Sequence, residues 1–171
     1  TDAELLTRVD WAYHEVRLRR AYYSAFAPLK GTPLENHPAT PPARERRLYM
    51  ADFLLRQYKV PITDMRGIYT DQGFLPPGDP KVHLARAFFA PGEKLEVNEA
   101  DFDLLIRVPG IGLKTARRIL ELRDRHQLIK KPKQLQLLGA VLPKALPFLT
   151  ISGTGQSTLD QFLVRNIAIR K

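Results

Sequence analysis

One proline and two glycines fall within four residues of "RVPGIGLKTARRIL" (Arg107–Leu120), and no other stretch constrains the chain as much. Proline cannot continue a helix and glycine enters the left-handed region at little cost, so Pro109 and Gly110 end any helix that runs up to them. Leu113, Ala116, Ile119 and Leu120 then recur at helical spacing, with Lys114, Arg117, Arg118 and Glu121 elsewhere on the helix. The stretch predicts two helices joined by a very short turn. Ile111, apolar at the turn's tip, makes sense as a plug folded back between those helices. Gly112 has no side chain to block an approaching group. The amides around Gly112, Lys114 and Thr115 fall at a helix N-terminus, where unsatisfied N–H groups and the helix dipole favour an anion.

The charge around this turn points the same way. From Leu105 to Lys131 there are eight Lys or Arg and two Asp or Glu, and the whole 171-residue chain carries a net charge of +9. A surplus of this size favours a polyanionic partner, with nucleic acid first. The chain has no cysteine, which excludes disulfides, thiolate nucleophiles and cysteine-ligated clusters within these residues. No apolar run approaches membrane-spanning length, so no membrane partner is expected. The opening "TDAELLTRVDW" reads as neither a signal peptide nor an initiator methionine with a basic region. The expectation is a non-secreted, cytoplasmic piece of a longer protein.

Along the chain, Thr1 and Glu4 form a capping box for a helix over 2–16, with Leu5, Leu6, Val9 and Ala12/Tyr13 on one side. The aromatic and small residues of "LRRAYYSAFAPL" (18–29) predict a buried strand. A proline-broken loop over 30–43 precedes a helix over 43–58, and Asp79-Pro80 opens another that Pro91-Gly92 stops. Asn98 is positioned to cap the helix carrying Phe102, Leu105 and Ile106. "KQLQLLGAVLPKALPFL" (133–149) is a weaker echo of the central stretch: a short helix, one glycine, and a second short apolar segment. The fold class expected is mainly α, in three regions: 1–92, 93–150 and a tail over 151–171.

"LLIRVPGIGLKTARRIL", with "VNEADFDLL" ahead of it, resembles the helix-hairpin-helix motif, a DNA-backbone binder without sequence preference. The likeness covers about 50 residues. It implies a backbone site at Arg107, Gly110, Ile111, Gly112, Lys114, Thr115, Arg117, Arg118, Lys130 and Lys131, and it admits a monovalent cation at the hairpin. The unit around Gly139 lacks the Gly-x-Gly turn, and the family's habit of pairing two motifs makes it a packing partner. A lysine placed as Lys114 is also resembles the Schiff-base lysine of endonuclease-III-type glycosylases. Their aspartate has no counterpart here: "IKKPKQ" stands in its place, and Asp124 lies on the lysine's own helix.

"RRAYYSAFAPLKGTPL" and "PPARERRLYMADFLLRQY" resemble the carboxy-terminal half of a family of radical-SAM DNA modification or repair proteins. That resemblance implies that 1–27 end a truncated (β/α) barrel. It implies S-adenosylmethionine and a 4Fe–4S cluster only in a barrel upstream, and a prokaryotic, nucleoid-associated setting. A stand-alone DNA-binding or scaffold protein, or a lyase using Lys114, are the alternatives. His14, His37, His83 and His126 have no ligand-like spacing, and no catalytic arrangement stands out. In the tail, Gln156, Leu159, Phe162 and Leu163 resemble a sliding-clamp-interacting peptide, or else form a short helix docking back on the chain.

Overall fold

A computed structural model of the chain describes residues 1–151. The Gln156–Leu163 segment lies outside them. The described chain is mainly helical, and it divides into two compact units, Thr1–Ala87 and a second beginning at Phe88. None of its helices is long and apolar enough to cross a membrane.

The first unit is built on α1 (Asp2–Glu15) and α2 (Pro42–Tyr58), followed by the short α3 (Ile62–Met65), a 3-10 turn at Arg66–Ile68, and α4 (Pro80–Phe88). The Thr1–Glu4 capping box forms, and Pro42 takes the first position of α2, where its missing N–H has no helical acceptor to lose. Leu6, Leu48, Ala51, Leu55, Met65, Ile68 and Leu75 make a core belonging to this unit. Beside it Asp2 is fully buried; one oxygen accepts from Arg44 Nε at 2.7 Å and the other from the Leu75 amide at 2.9 Å. That single carboxylate ties α1, α2 and the segment at 75 together.

The strand expected over 18–29 does not form. No second strand lies alongside it among the described residues of this unit; side chains meet its backbone groups instead. The Tyr13 hydroxyl accepts from the Ala21 amide, Glu45 from the Ala25 amide, and the Tyr49 hydroxyl both accepts from the Tyr23 amide and donates to the Tyr23 carbonyl. Tyr13 and Tyr23 donate in turn to Asp52, which is buried and also faces Arg56. An aromatic-rich run thus lies irregularly on α1 and α2, secured by tyrosines and a glutamate.

The Tyr69 hydroxyl is buried without a hydrogen-bond partner among the described residues. Burial, and then the charge of Asp2, push its pKa up to about 12, from 10.0. The folded state therefore holds the Tyr69 proton where the unfolded chain releases it, and stability is lost as pH rises from about 10 through about 12. Tyr69→Phe should be neutral at pH 8, or stabilising by up to about 1 kcal/mol, and should lessen the alkaline loss. Urea melts at neutral and alkaline pH test this; a variant less stable at pH 8 would show that the hydroxyl has a partner.

The second unit contains α5 (Phe102–Arg107), α6 (Leu113–Asp124), α7 (Pro132–Leu137) and α8 (Leu142–Ala145), the last running into a 3-10 turn at Leu146–Phe148. Two-residue strands close it: β1 (Leu95–Glu96) pairs in parallel with β2 (Leu149–Thr150), Leu95 opposite Leu149. Buried Glu96 accepts from the Thr150 hydroxyl at 3.1 Å and the Asn98 amide group at 3.1 Å. The division between units falls ahead of Pro91-Gly92 because Phe89 packs on Phe148, with ring centroids 5.9 Å apart.

Asn98 does not cap α5. Asp101 does, accepting from the Leu104 amide at 2.8 Å. The chain first makes a turn, closed by the Glu99 and Ala100 amides on the Glu96 carbonyl, so Asn98 stands too far upstream. Its carboxamide instead grips Ile129, donating to the carbonyl at 2.9 Å and accepting from the amide at 2.8 Å.

Candidate nucleic-acid interface

The turn between α5 and α6 follows from its three apolar and glycine positions. Gly110 takes φ +81°, in the left-handed region that glycine favours. Ile111 is 1% exposed, its apolar side chain turned inward at the tip of the turn. Gly112 is the N-cap of α6 with φ −92° and ψ 169°, and no side chain caps the helix start. Among the described residues no backbone carbonyl accepts from the amides of Gly112, Leu113, Lys114 or Thr115, and the first helical bond at this end is Ala116 N–H to the Gly112 carbonyl. A row of N–H donors therefore stands at the positive end of a twelve-residue helix. Lys114 and Arg117 are exposed beside it and make no ion pair among the described residues.

The α7–α8 pair repeats this construction. Gly139 has φ +103° where the first turn has Gly110 at +81°. Ala140 is buried as Ile111 is, and Ala145 is as fully buried as Ala116. The two turns also pack on each other reciprocally. A Cβ on Gly110 would meet Lys144 Cβ at 3.1 Å, and one on Gly139 would meet Thr115 Oγ1 at 3.2 Å. Thr115 and Lys144 occupy the same place, five residues past their own glycines. The Val141 amide donates to the Gly110 carbonyl at 2.9 Å, joining the turns directly.

Residues 91–147 match the family described as the helix-hairpin-helix motif. No curated protein and no solved structure matches the chain. The matched segment contains both turns.

The two hairpins are not equivalent towards an anion. Val141 stands where the first hairpin has Gly112, half exposed, with its amide already bonded to Gly110. Pro143 offers no N–H, and α8 is only four residues long. Only the first hairpin presents a donor row, so the second serves to hold it.

The sequence-derived residues divide accordingly. Gly110, Ile111 and buried Thr115 build the turn, and Gly112 and Lys114 lie at its open end. Arg118 is exposed, but its guanidinium donates to the Leu138 carbonyl at 3.1 Å, bracing α6 against the end of α7. Arg107 stacks over the Phe88 ring at 4.2 Å. Lys130 and Lys131 are exposed on the α6–α7 connection, and both their amides donate to Gln134 Oε1. Arg123 holds the Glu99 and Ala100 carbonyls, a bracing role that a charge count does not reveal.

Proposed function

We propose that the second unit binds DNA through its phosphate backbone, without sequence preference, with a phosphate oxygen on the donor row at Gly112–Thr115 and cations at Lys114 and Arg117. The observation that carries this reading is that row of amides without carbonyl acceptors, set behind a glycine and repeated in no other turn of the unit's described residues. Backbone amides and cations contact phosphates and touch no base edge, so the interaction positions the duplex without reading it. Arg118 and Arg107 contribute through the shape of the hairpin, since their guanidinium groups already have protein partners.

The experiment is a Gly112→Glu variant tested by fluorescence anisotropy on two duplexes of unrelated sequence. The backbone at Gly112 lies in a region open to any residue, so the fold should persist while a carboxylate occupies the phosphate position. Wild-type protein should bind both duplexes alike, and the variant should bind both at least tenfold more weakly. Lys114→Ala should lower the slope of log K against log salt by about 1. Unchanged binding by a folded Gly112→Glu protein would refute the assignment.

A radical-SAM reading rests on sequence likeness alone, running from the N-terminus to about residue 149. Without cysteine these residues do not fit a 4Fe–4S cluster.

A further inference from the structure

The first unit has a cavity of about 480 Å³, inside the roughly 300–1,000 Å³ range of small-molecule sites. Its walls come from α2, from Arg20 in the irregular segment, and from Asp79 and Lys81 at the start of α4. Two features make it unlike an incidental groove. Phe53 is 47% exposed and Met50 39% exposed, an open apolar floor on a helix whose other face is packed in the core. Phe53 and Tyr58 sit 5.7 Å apart by ring centroid, and Lys81 Nζ lies 4.5 Å over the Tyr58 ring.

Charge at this cavity is layered. Asp52 is buried, and its carboxylate is engaged by the Tyr13 and Tyr23 hydroxyls and faces Arg56 Nε at 3.5 Å. Asp79 Oδ1 accepts from the Lys81 amide. Arg20 has no acidic partner among the described residues; its guanidinium lies 5.0 Å over the exposed Tyr22 ring. The acids are thus turned to internal bonds and Lys81 is engaged on the Tyr58 ring, while Arg20 brings positive charge to the aromatic wall. A flat ring bearing an anion satisfies both features. A metal cation would meet the positive charges, and an aliphatic chain would leave them unused.

The geometry points to a nucleotide site: a base on the exposed face of Phe53, with Tyr58 edge-on beside it at 60°, and its phosphate towards Arg20. This inference does not rest on the hairpin reading, because every residue it uses belongs to the first unit. The nucleotide comes either free in solution or from a single strand whose bases are unstacked. Base–aromatic stacking is sequence-tolerant, and loss of one such ring weakens binding by about tenfold.

The test uses the full chain with two probes: AMP followed by calorimetry, and a fluorescein-labelled six-nucleotide single strand followed by anisotropy. Phe53→Ala removes a half-exposed ring, Arg20→Ala an exposed cation, and circular dichroism verifies that both fold. AMP binding that falls about tenfold in both variants, and is unchanged in Gly112→Glu, supports a site for free nucleotide. Single-strand binding with the same response to Phe53→Ala and Arg20→Ala, in the Gly112→Glu background and without AMP binding, supports the strand as source. The proposal is overturned if neither probe binds at millimolar concentration, or if the folded Phe53→Ala and Arg20→Ala proteins bind as wild type does. Loss of duplex binding in Gly112→Glu with no nucleotide binding anywhere would leave the hairpin reading standing and this one refuted.

Discussion

Gly110→Ala should destabilise the second unit by about 2–5 kcal/mol, while Gly92→Ala, at nearly the same backbone angle, should cost only about 1–2 kcal/mol. Gly110 has φ +81° and Gly92 +79°, so both variants carry the same left-handed penalty. They differ in surroundings. An added Cβ at Gly92 meets nothing within 4 Å, whereas at Gly110 it would lie 2.5 Å from the Val141 carbonyl oxygen and 3.3 Å from the Ala145 amide nitrogen. Those are backbone atoms that cannot rotate away. To admit a methyl the two hairpins must separate, straining the Gly110–Val141 hydrogen bond and loosening Gly139 on Thr115. Urea melts of both variants, followed by circular dichroism, give the comparison. Equal losses would mean that the turns do not pack in this way.

Asp2→Ala should cost the first unit about 3–5 kcal/mol, the range for removing one partner of a buried ion pair. Asp2 is wholly inside, and its truncation strands two donors at once: the Arg44 guanidinium and the Leu75 amide. Arg44 is 29% exposed in its side chain and stacks on Phe74, so water relieves part of the loss. Leu75 is 2% exposed and has no such relief. Asp2→Asn, which keeps an acceptor, should lose less than Asp2→Ala, and Asp2→Ala with Arg44→Met should lose less than the sum of the two single changes. Trp11, the chain's single tryptophan, sits on the same helix and reports the melt by fluorescence. A loss under about 1 kcal/mol in Asp2→Ala would show that the carboxylate is not the tie described.

What the sequence made legible was local. The Thr1–Glu4 box, the Asp79-Pro80 start and the Gly110 turn each depend on residues within a few positions of one another, and each was readable for that reason. The errors came from partners far along the chain. The Tyr23 amide finds the Tyr49 hydroxyl 26 residues away, and Asn98 finds Ile129 31 residues away. Neither leaves a mark in the surrounding pattern, so an aromatic run passed for a strand and an asparagine for a cap. The β1–β2 pairing, with Leu95 opposite Leu149, was invisible because two residues are too few to show a period. Charge was readable as a sum but not as an allocation. Arg118, Arg107 and Arg123 looked like Lys114 and Arg117, yet the first three hold Leu138, Phe88 and the Glu99–Ala100 carbonyls.

The β1–β2 pair has a mechanical consequence. Because the strands run parallel, a pull on the chain before Leu95 and after Thr150 drives them in opposite directions along their length. The Val97-to-Thr150 backbone bond and the Thr150 hydroxyl bond to Glu96 are then loaded together, in shear, and cannot open one after the other. Tension crosses the unit through this clasp, and α5–α8 hang from it as a closed loop outside the line of force. Until the clasp parts, a hairpin holding DNA feels none of the strain carried by the chain on either side.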